Sequence, residues 1–391
     1  MSGIFVVAAK RTPFGAFGGS FKNTSAVQLG VASTQAALQN IDPTIVDSIY
    51  FGNVIQTGDD AAYLSRHIGL KSGIPIATPA LTLNRLCGSG FETVVQSFKS
   101  IQLGESHVSL AGGVESMSLA PLNASGTVRW GTSLGQGISL TDSLWNGLTD
   151  AHAGTPMGVT AENLGKKYDI TRAECDEYAI RSQQLWKKAN DNGVFQAEMA
   201  PVSVKNKKKE VLVDTDEHPR PDSTFEKINK LPSVFQKDGV VSAANASGIC
   251  DGAGSVIIAS EEAVKQHNLT PLARIVSYGV TGCEPTIMGI GPVTAIQQAL
   301  SKAGLTLRDM DRVEINEAFA AQVLACAKEL DLDMDKFNIH GGAISLGHPL
   351  GASGSRIMAH LVNTWSGNDK YYIGAACIGG GQGIAVLLEK C

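Results

Sequence analysis

The sequence predicts an α/β fold in which two similar halves flank a large insertion. The first observation is a faint internal repeat: residues 30–53 read as an apolar-periodic helix, an aspartate and a strand, and residues 291–317 repeat that order. In each half, a glycine-rich turn then opens into a helix, followed by a short apolar strand that runs into glycines. Residues 119–248 interrupt this repeat, so we expect an insertion that packs over one face.

The elements follow one another in the same order in the two halves. A probable strand at residues 4–8 opens the first half, and a strand at 384–388 closes the second. The matched segments between them are the turns 83–90 and 347–354, the helices 91–101 and 356–362, and the strands 108–113 and 372–377.

The insertion has features of its own. Residues 172–192 have an amphipathic helix pattern, and the run Lys205 to Lys209 is more typical of a solvated hairpin than of a phosphate clamp. We divide the chain into an N-terminal half at residues 1–262, which contains the insertion, and a C-terminal half at residues 269–391.

Composition and charge limit the partners of this protein. The 391 residues are 43% hydrophobic, which is enough to bury a large core, and the formal net charge is −5. No positive field is available to gather nucleic acid, and basic residues do not cluster on an amphipathic helix. No apolar run approaches the length of a membrane span. We therefore expect no nucleic-acid partner and no membrane insertion.

The cysteines indicate free thiols. They number seven, an odd count, and none forms a C-x-x-C pair. This pattern argues against a disulfide framework and against a paired-cysteine zinc site, so we expect reduced thiols and no bound metal. The first predicted strand begins at Ile4, which leaves no room for a cleavable presequence, so we expect an uncleaved N-terminus.

Cys87 lies where a strand-like stretch meets the opening of a helix. Backbone N–H groups and the positive end of the helix dipole favour a thiolate there, and Gly88 and Gly90 leave space for a substrate. A small buried core residue is an equally good interpretation of this position alone.

His348 lies in a loop of small residues, where Pro349 fixes the turn. Its ring can serve as a general base or donate Nε2–H to an oxyanion. A lone histidine is more often structural, so its position alone does not assign a function.

Two further residues end strands. Cys377 precedes a glycine run that begins at Gly379, whose N–H groups can bind an oxygen anion, although a tight turn between two strands has the same composition. Asn316 stands between a strand and a helix, where its amide can hold a water, although a helix N-cap is the more ordinary role.

Because pockets of open α/β sheets form at strand ends, we expect Cys87, His348, Cys377 and Asn316 to converge around one cavity.

The segments LNRLCGSGFE, VEINEAFAAQ, GGAISLGHPLGASGSR and CIGGGQG resemble the signature blocks of the thiolase family. The similarity covers essentially the whole chain, and SLWNGLTD, MGVTAENL and DEHPRPDSTFEKI resemble its mitochondrial members. The resemblance implies the thiolase fold, with two similar α/β halves in a layered α-β-α-β-α arrangement and an inserted loop domain. It also implies reversible, CoA-dependent cleavage of a 3-ketoacyl-CoA to acetyl-CoA and a shortened acyl-CoA.

The resemblance further implies a role for each of these residues. His348 takes the proton of Cys87, whose thiolate attacks the keto carbonyl, and Cys377 protonates the departing enolate and later activates CoA. The N–H groups of Cys87 and Gly379 face the tetrahedral oxygen, while His348 and a water on Asn316 face the enolate oxygen. Cys377 must keep its proton while Cys87 loses its own, so their pKa values should be pushed apart.

For the co-substrate CoA, the resemblance points to the insertion, and no permanently bound cofactor is expected. Arg220 and Ser223 match positions that contact the nucleotide, and Ser247 matches the contact to the pantetheine. Acetoacetyl-CoA thiolases place a histidine where this chain has Pro156, so we favour medium- to long-chain substrates, with acetoacetyl-CoA as the alternative.

Other functions remain open at the level of sequence. A dinucleotide-dependent dehydrogenase is weakly indicated by Gly289 and Gly291, since the fingerprint is incomplete. A non-catalytic acyl-CoA-binding protein on the same fold would need neither Cys87 nor Cys377. A decarboxylating condensing enzyme would, by resemblance, place a histidine in one of the roles of Asn316 and Cys377. The resemblance also implies a homodimer or homotetramer in the mitochondrial matrix, with the cytosol as the alternative.

Overall fold

The computed structural model describes residues 3–206 and 209–391. The strands are β1 (Ile4–Arg11), β2 (Gly15–Ala16), β3 (Ser48–Gly52), β4 (Ala80–Leu83), β5 (Val108–Ser116), β6 (Leu122–Ala124), β7 (Leu140–Asp142), β8 (Thr149–Asp150), β9 (Thr155–Pro156), β10 (Val202–Asn206), β11 (Lys209–Val213), β12 (Cys250–Ser260), β13 (Ala273–Gly282), β14 (Arg312–Ile315), β15 (Tyr371–Ile378) and β16 (Gln382–Lys390). The α-helices are α1 (Ala26–Ala37), α2 (Leu64–Lys71), α3 (Ser89–Gln102), α4 (Ser143–Gly147), α5 (Met157–Lys167), α6 (Arg172–Asp191), α7 (Phe225–Ile228), α8 (Glu261–Gln266), α9 (Gly291–Ala303), α10 (Ala320–Leu330), α11 (Ala343–Leu346) and α12 (Ser353–Asn363).

The strands of both halves form one sheet in the order β14-β15-β16-β13-β1-β12-β5-β3-β4, with β2 paired to β12. The halves meet where β1 and β13 pair antiparallel, through Phe5 with Arg274 and Val6 with Ala273. This junction is short compared with the pairing inside either half, so each half keeps its own set of strands.

The pairing of the strands confirms the internal repeat. In the first half, β3 pairs parallel with β5, and β5–β12 and β12–β1 are antiparallel. In the second half, β14 pairs parallel with β15, and β15–β16 and β16–β13 are antiparallel. Helices α1 and α9 follow the first strand of each half, and α3 and α12 follow the glycine-rich turns. The two halves therefore share both chain order and pairing.

Helices α3 and α12 lie side by side between the two halves and contact strands of both. Helices α1 and α2 cover the outer face of the first half, and α9 covers the outer face of the second. The predicted α-β-α-β-α layering is therefore confirmed. The central helices approach so closely that a Cβ at Gly90 would lie 2.5 Å from the backbone N of Ser355, and one at Gly354 would lie 2.2 Å from that of Phe91.

The core follows this layering. Phe51 and Ile68 are buried under the first outer layer, Phe91 and Ile357 in the central layer, and Ile296 under the second outer layer. Burying a side chain of this size stabilises a fold by roughly 1.5–3 kcal/mol. Because the central helices bury apolar residues towards both halves, they fix how the strand ends of the two halves meet.

The insertion packs over one face of the second half, as predicted. Helices α5 and α6 both contact α10, and α6 begins with a capping box formed by Thr171 and Glu174. Strands β10 and β11 form the predicted hairpin in the described part of the run, while its residues 207 and 208 lie outside the described residues. The division of the chain at residues 262 and 269 stays a prediction. In the described part of the chain, no helix combines the length and the apolar character needed to span a bilayer.

Candidate active site

A cavity of about 340 Å³ opens between the two halves and the insertion. Cys87 lines it from the first half, His348 from the second and Ser247 from the insertion. Apolar side chains such as Met157 and Phe319 form much of the remaining wall. This size and lining are typical of sites for small organic ligands, and an apolar wall strengthens electrostatic interactions inside the cavity.

Cys87 occupies a strained turn between β4 and α3. Leu86, directly before it, has a φ of +46°, a left-handed conformation that costs a non-glycine residue ~1–3 kcal/mol. The turn is held by Asn84, whose Oδ1 accepts the Leu86 N–H at 2.8 Å, and by Ser89, whose hydroxyl donates to the Leu86 carbonyl at 2.7 Å. Gly88 follows in close packing, because a Cβ there would lie 2.5 Å from Cδ1 of Ile378, which would have to move.

The surroundings of Cys87 keep it protonated at rest. Burial raises the pKa of Cys87 to about 11, although the N–H groups of Gly379 and of Cys87 itself act to lower it. The nearby carboxyl group of Glu115 adds to the rise. The backbone N–H groups therefore act in the predicted direction, but desolvation of the sulfur outweighs them and the pKa of the resting thiol stays raised. Cys87 needs a base.

His348 is held in one tautomer. Its Nδ1 lies 2.5 Å from Oγ of Ser353, whose hydroxyl donates to the Pro349 carbonyl at 3.1 Å. Because the serine proton is used in that bond, His348 donates Nδ1–H to Ser353 and keeps a lone pair on Nε2. Burial lowers the pKa of His348 to about 3, with a smaller contribution from the charge of Arg356, so the ring is neutral and can accept a proton.

Asn316 lies behind His348 and is fully buried. Its Nδ2 is 3.3 Å from His348 Nε2, and its Oδ1 has no hydrogen-bond partner among the described residues. The alternative role as a helix N-cap is wrong, because Phe319 is the N-cap of α10 and the Asn316 N–H donates to the carbonyl of Ala375 instead. A buried carbonyl oxygen without a protein partner is a suitable acceptor for a water or a substrate N–H.

Cys377 shares this site with Cys87. It is fully buried at the end of β15 and packs against Met288, Ala318 and Met157, which also line the cavity. Burial raises the pKa of Cys377 well above its usual value, and the proximity of Cys87 raises it further. The pKa values of both thiols are therefore raised, and only at Cys87 does the N–H of Gly379 oppose the rise.

The glycine run after Cys377 is the tight turn that its composition allows, while an oxygen-binding role for its N–H groups stays a prediction. It forms the turn between β15 and β16, with φ of +78° at Gly380 and +82° at Gly381. A Cβ at Gly381 would lie 2.3 Å from the carbonyl oxygen of Cys283, so a side chain cannot fit there. The same turn directs the N–H of Gly379 towards Cys87, which suits an oxygen bound to the carbon that this sulfur attacks.

The residues predicted for CoA binding fall in two places. Ser247 lines the catalytic cavity, whereas Arg220 and Ser223 line a separate depression of about 290 Å³. The loop at residues 243–248 borders both, because Ala243 lines the depression. Arg220 is exposed, and its Nη1 donates to backbone carbonyls between 2.8 and 3.0 Å away.

The sequence reasoning missed Ser353 and Glu115. Ser353 stands five residues after His348 in a turn that was singled out, but its pairing with the ring depends on tertiary geometry. Glu115 had a readable signal: it is a charged residue at the end of an otherwise apolar strand, and a buried carboxyl group needs partners.

Comparisons with known proteins identify the family of this chain. The thiolase N-terminal domain model matches residues 4–262, and the thiolase C-terminal domain model matches residues 269–390. The mitochondrial 3-ketoacyl-CoA thiolase of Homo sapiens is 59% identical over 393 aligned residues, which cover 100% of this chain and 99% of that protein. The acetyl-CoA acetyltransferase of Escherichia coli strain K12 is 45% identical, with 100% of both chains covered.

A solved structure extends the comparison to three dimensions. The crystal structure of human mitochondrial 3-ketoacyl-CoA thiolase in complex with CoA matches this fold with a TM-score of 0.96. Sequence identity in that match is 58%, and it covers 100% of this chain and 98% of that chain. Matches over the full length, in sequence and in fold, show that this chain belongs to the thiolase family.

Proposed function

We propose that the chain is an acetyl-CoA acyltransferase that cleaves 3-ketoacyl-CoA with CoA, as in fatty acid β-oxidation, and can run the reverse Claisen condensation. The observation that carries this proposal is that Cys87 and His348 line one apolar cavity, while Asn316 contacts the ring of His348 and Cys377 packs behind the cavity wall at Met288 and Ala318. A protein that only binds acyl-CoA has no use for two cysteines and a neutral histidine at the same site.

In the first half-reaction, His348 Nε2 takes the proton of Cys87 as the sulfur attacks the keto carbon. The oxygen of the tetrahedral intermediate accepts the N–H groups of Cys87 and Gly379. The bond between the α and β carbons then breaks, which leaves an acyl group on Cys87 and the enolate of acetyl-CoA. Cys377 gives its proton to the enolate carbon, while His348 and a water on Asn316 stabilise the enolate oxygen.

In the second half-reaction, the Cys377 thiolate takes the proton of the CoA thiol. The CoA sulfur attacks the acyl group on Cys87, and the shortened acyl-CoA forms. Cys87 leaves as a thiolate and recovers its proton from His348, so both cysteines and the histidine return to their starting states.

The raised pKa values suit this sequence of proton transfers. Cys377 has to remain a thiol until the enolate forms, and burial raises its pKa well above the usual value. Cys87 rests as a thiol with a pKa of about 11, so its proton has to leave as the bond to carbon forms. A neutral His348 adjacent to Asn316 can accept that proton without first losing one.

For the substrate, we propose 3-ketoacyl groups of medium to long chain. Pro156 stands where a short-chain enzyme would carry a histidine, and the neighbouring wall is apolar. Acetoacetyl-CoA thiolysis or synthesis is the second candidate, which the 45% identity to an acetyl-CoA acetyltransferase favours. The greater identity, 59%, is to a 3-ketoacyl-CoA thiolase, and it supports the first candidate.

For the co-substrate, we propose that Arg220 and Ser223 hold the nucleotide end of CoA and that Ser247 holds the pantetheine. The CoA complex of a relative with 58% identity supports CoA as the ligand. Ser247 stands in the same cavity as Cys87, whereas Arg220 stands at the exposed depression, as a long ligand that enters from solvent requires.

We further propose that the protein works in the mitochondrial matrix with an uncleaved N-terminus and assembles as a homodimer or homotetramer. The names of its relatives support the compartment. A tagged full-length chain should co-fractionate with matrix enzymes at its full mass, and light scattering of the purified protein gives the number of subunits.

The test of the reaction is thiolysis of 3-ketoacyl-CoAs of increasing chain length by the wild type, Cys87→Ala and Cys377→Ala. We expect turnover of medium- and long-chain substrates to exceed that of acetoacetyl-CoA, and we expect both variants to lose it. Preference for acetoacetyl-CoA would support the second candidate. Full activity of either cysteine variant would contradict the proposed chemistry.

A further inference from the structure

Glu115 is a fully buried carboxyl group that the chemistry proposed above does not use. Its Oε1 accepts the backbone N–H of Ile55 at 2.9 Å and the side-chain Nδ2 of Asn53 at 3.0 Å. Its Oε2 accepts the backbone N–H of Gly351 at 2.8 Å and that of Val54 at 3.2 Å. Donors point at both oxygens, so an amide in the same place would direct its own N–H groups at other donors.

The donors belong to two segments that flank the cavity. Val54 and Ile55 leave β3 and pack in one apolar cluster with Cys87 and Leu350. Gly351 is three residues beyond His348, in the turn that leads into α12. The carboxyl group of Glu115 therefore connects the backbone beside Cys87 with the turn that carries His348.

The turn that carries His348 is seated directly on β5. A Cβ at Gly113 would lie 1.9 Å from the carbonyl oxygen of Gly351, and a Cβ at Gly351 would lie 2.6 Å from that of Val114. Glu115 is two residues beyond Gly113, so both project from the same face of the strand. The turn is therefore held against β5 at two neighbouring points, by backbone contact at Gly113 and by the carboxyl group of Glu115.

The internal repeat gives this arrangement a counterpart. The parallel pairs end with Gly52–Gly113 in the first half and Ile315–Ala375 in the second. The next residues are Asn53 and Asn316, respectively. In the first half, Glu115 stands two positions beyond Gly113 and pairs with Gly252. In the second half, Cys377 stands two positions beyond Ala375 and pairs with Gly383. The residue before the N-cap is Cys87 for α3 and Gly351 for α12.

We call Asn53, Glu115 and Gly351 the clamp site, and their counterparts Asn316, Cys377 and Cys87 the reactive site. We propose that Glu115 is a positioning residue that fixes the turn carrying His348 relative to Cys87. This inference rests on the proposed role of His348 as the base. A base has to stay within hydrogen-bond reach of the proton it takes, and a shift of about 1 Å lowers rates by roughly 100-fold.

The test compares Glu115→Gln with Asp47→Asn, a matched control. Asp47 lies near the opposite end of β5, where its carboxylate accepts the N–H groups of His107 and Val108. Both variants replace a carboxylate that binds N–H groups, but only Glu115 contacts the His348 turn. The primary measurement is the rate at which iodoacetamide alkylates Cys87 between about pH 7.5 and 9, followed by mass spectrometry of the peptide.

In the wild type, we expect a rate nearly independent of pH, because His348 takes the proton. In His348→Asn, only the thiolate reacts, so the rate should rise roughly tenfold per pH unit below a pKa of about 11. Glu115→Gln should lower the alkylation rate at about pH 7.5 by roughly 10–100-fold. The rate in this variant should then rise with pH as steeply as in His348→Asn. Glu115→Gln should also lower kcat for thiolysis by a similar factor and change KM for CoA by less than about twofold. Asp47→Asn should keep the wild-type values of all three quantities.

A double-mutant cycle separates positioning from general destabilisation. In the His348→Asn background, Glu115→Gln should not lower the alkylation rate, because loss of the nearby carboxylate charge can only lower the pKa of Cys87 and favour its thiolate. An equal effect of Glu115→Gln in both backgrounds, or a wild-type pH profile in the folded variant, would overturn the positioning role. A flat profile in His348→Asn itself would instead remove the proposed base and, with it, this inference.

A milder variant covers the case in which Glu115→Gln does not fold. Asn53→Ala removes the Nδ2 donor and leaves the carboxyl group in place. We expect it to lower the alkylation rate at about pH 7.5 by about 2–5-fold while the pH profile stays nearly flat, and to have no effect in the His348→Asn background. A wild-type alkylation rate for Asn53→Ala in that case overturns the proposal.

Discussion

The reactive site and the clamp site share a backbone and differ in how their polar groups are satisfied. In the clamp site, both oxygens of Glu115 and the Nδ2 of Asn53 are hydrogen-bonded. In the reactive site, Asn316 Oδ1 has no partner in the described part of the chain, and Cys377 is buried among apolar side chains. The same backbone arrangement thus carries a hydrogen-bonded carboxyl group in one half and an unpartnered amide with a buried thiol in the other.

The two sites therefore differ in how much their buried polar groups cost in folding free energy. Hydrogen bonds to both oxygens of Glu115 offset part of its desolvation, although burial still raises its pKa to about 7. An unpartnered buried amide oxygen costs about 1–3 kcal/mol. The reactive site also contains the left-handed Leu86. A site with unsatisfied and strained groups needs support, and the segment after Asn53 packs in one apolar cluster with Cys87 and Leu350.

The largest effect should come from the sulfur that distinguishes Cys87 from its counterpart Gly351. Cys87→Ala is expected to lower thiolysis by roughly 10⁴-fold or more, because no other group can carry the acyl chain. Cys175→Ala, which truncates a buried cysteine of α6, is the control and should retain turnover. Steady-state rates with one 3-ketoacyl-CoA decide the matter; substantial activity in Cys87→Ala would refute the assignment.

The two asparagines sharpen the comparison. Asn316→Ala should lower kcat by roughly 10²–10³-fold, the typical loss for one oxyanion donor, with little change in the free energy of unfolding. Asn53→Ala should lower the free energy of unfolding by about 1–2 kcal/mol and reduce turnover only a few-fold. Turnover assays and urea unfolding measure both quantities. The comparison fails if the two variants exchange these phenotypes.

The resting protonation state provides a third test. Because the pKa of Cys87 is about 11, the thiolate fraction rises with pH, so alkylation of Cys87 in His348→Asn should increase about 100-fold between about pH 7 and 9. A free cysteine with an ordinary pKa near 8.5 would level off towards the upper end of this range. A plateau there would show that burial does not control this thiol.

The smallest effect concerns the seat of the His348 turn. Gly113 corresponds to Ala375 in the C-terminal half. A Cβ at Gly113 would lie 1.9 Å from the Gly351 carbonyl oxygen. Gly113→Ala should therefore lower the free energy of unfolding by about 1–3 kcal/mol and slow thiolysis as the turn shifts. The reverse exchange, Ala375→Gly, should cost about 1 kcal/mol or less. Thermal unfolding and initial rates are the measurements, and wild-type behaviour of Gly113→Ala would argue against a tightly seated turn.

Much of the fold could be predicted from sequence because its signals are local and repeated. The helix and strand periods of residues 30–53 recur at 291–317, and glycine-rich turns mark the same place in each half. The same pattern predicts that Cys87, His348, Asn316 and Cys377 lie near strand ends, and of these four residues Cys87 and His348 line the cavity. Helices α3 and α12 nevertheless begin earlier than predicted, at Ser89 and Ser353, because tight packing of the central helices tolerates glycine in their first turns.

The remaining properties of the site depend on tertiary structure. The helix end beside Cys87 is visible in sequence, but the desolvation that raises its pKa is not. Asn316 has the composition of an N-cap, yet it directly follows β14, its N–H donates to the carbonyl of Ala375, and the helix begins only at Ala320. The tautomer of His348 depends on Ser353 and the Pro349 carbonyl, which only the folded turn brings together.

The most direct test of the central claim is the identity of the covalent intermediate. The protein is incubated with 3-ketooctanoyl-CoA in the absence of free CoA, quenched in acid, digested and examined by mass spectrometry. The account predicts a hexanoyl group on the peptide that contains Cys87, released acetyl-CoA, and neither product from Cys87→Ala. A hexanoyl group on Cys377, or acetyl-CoA released without any acylated cysteine, would contradict it.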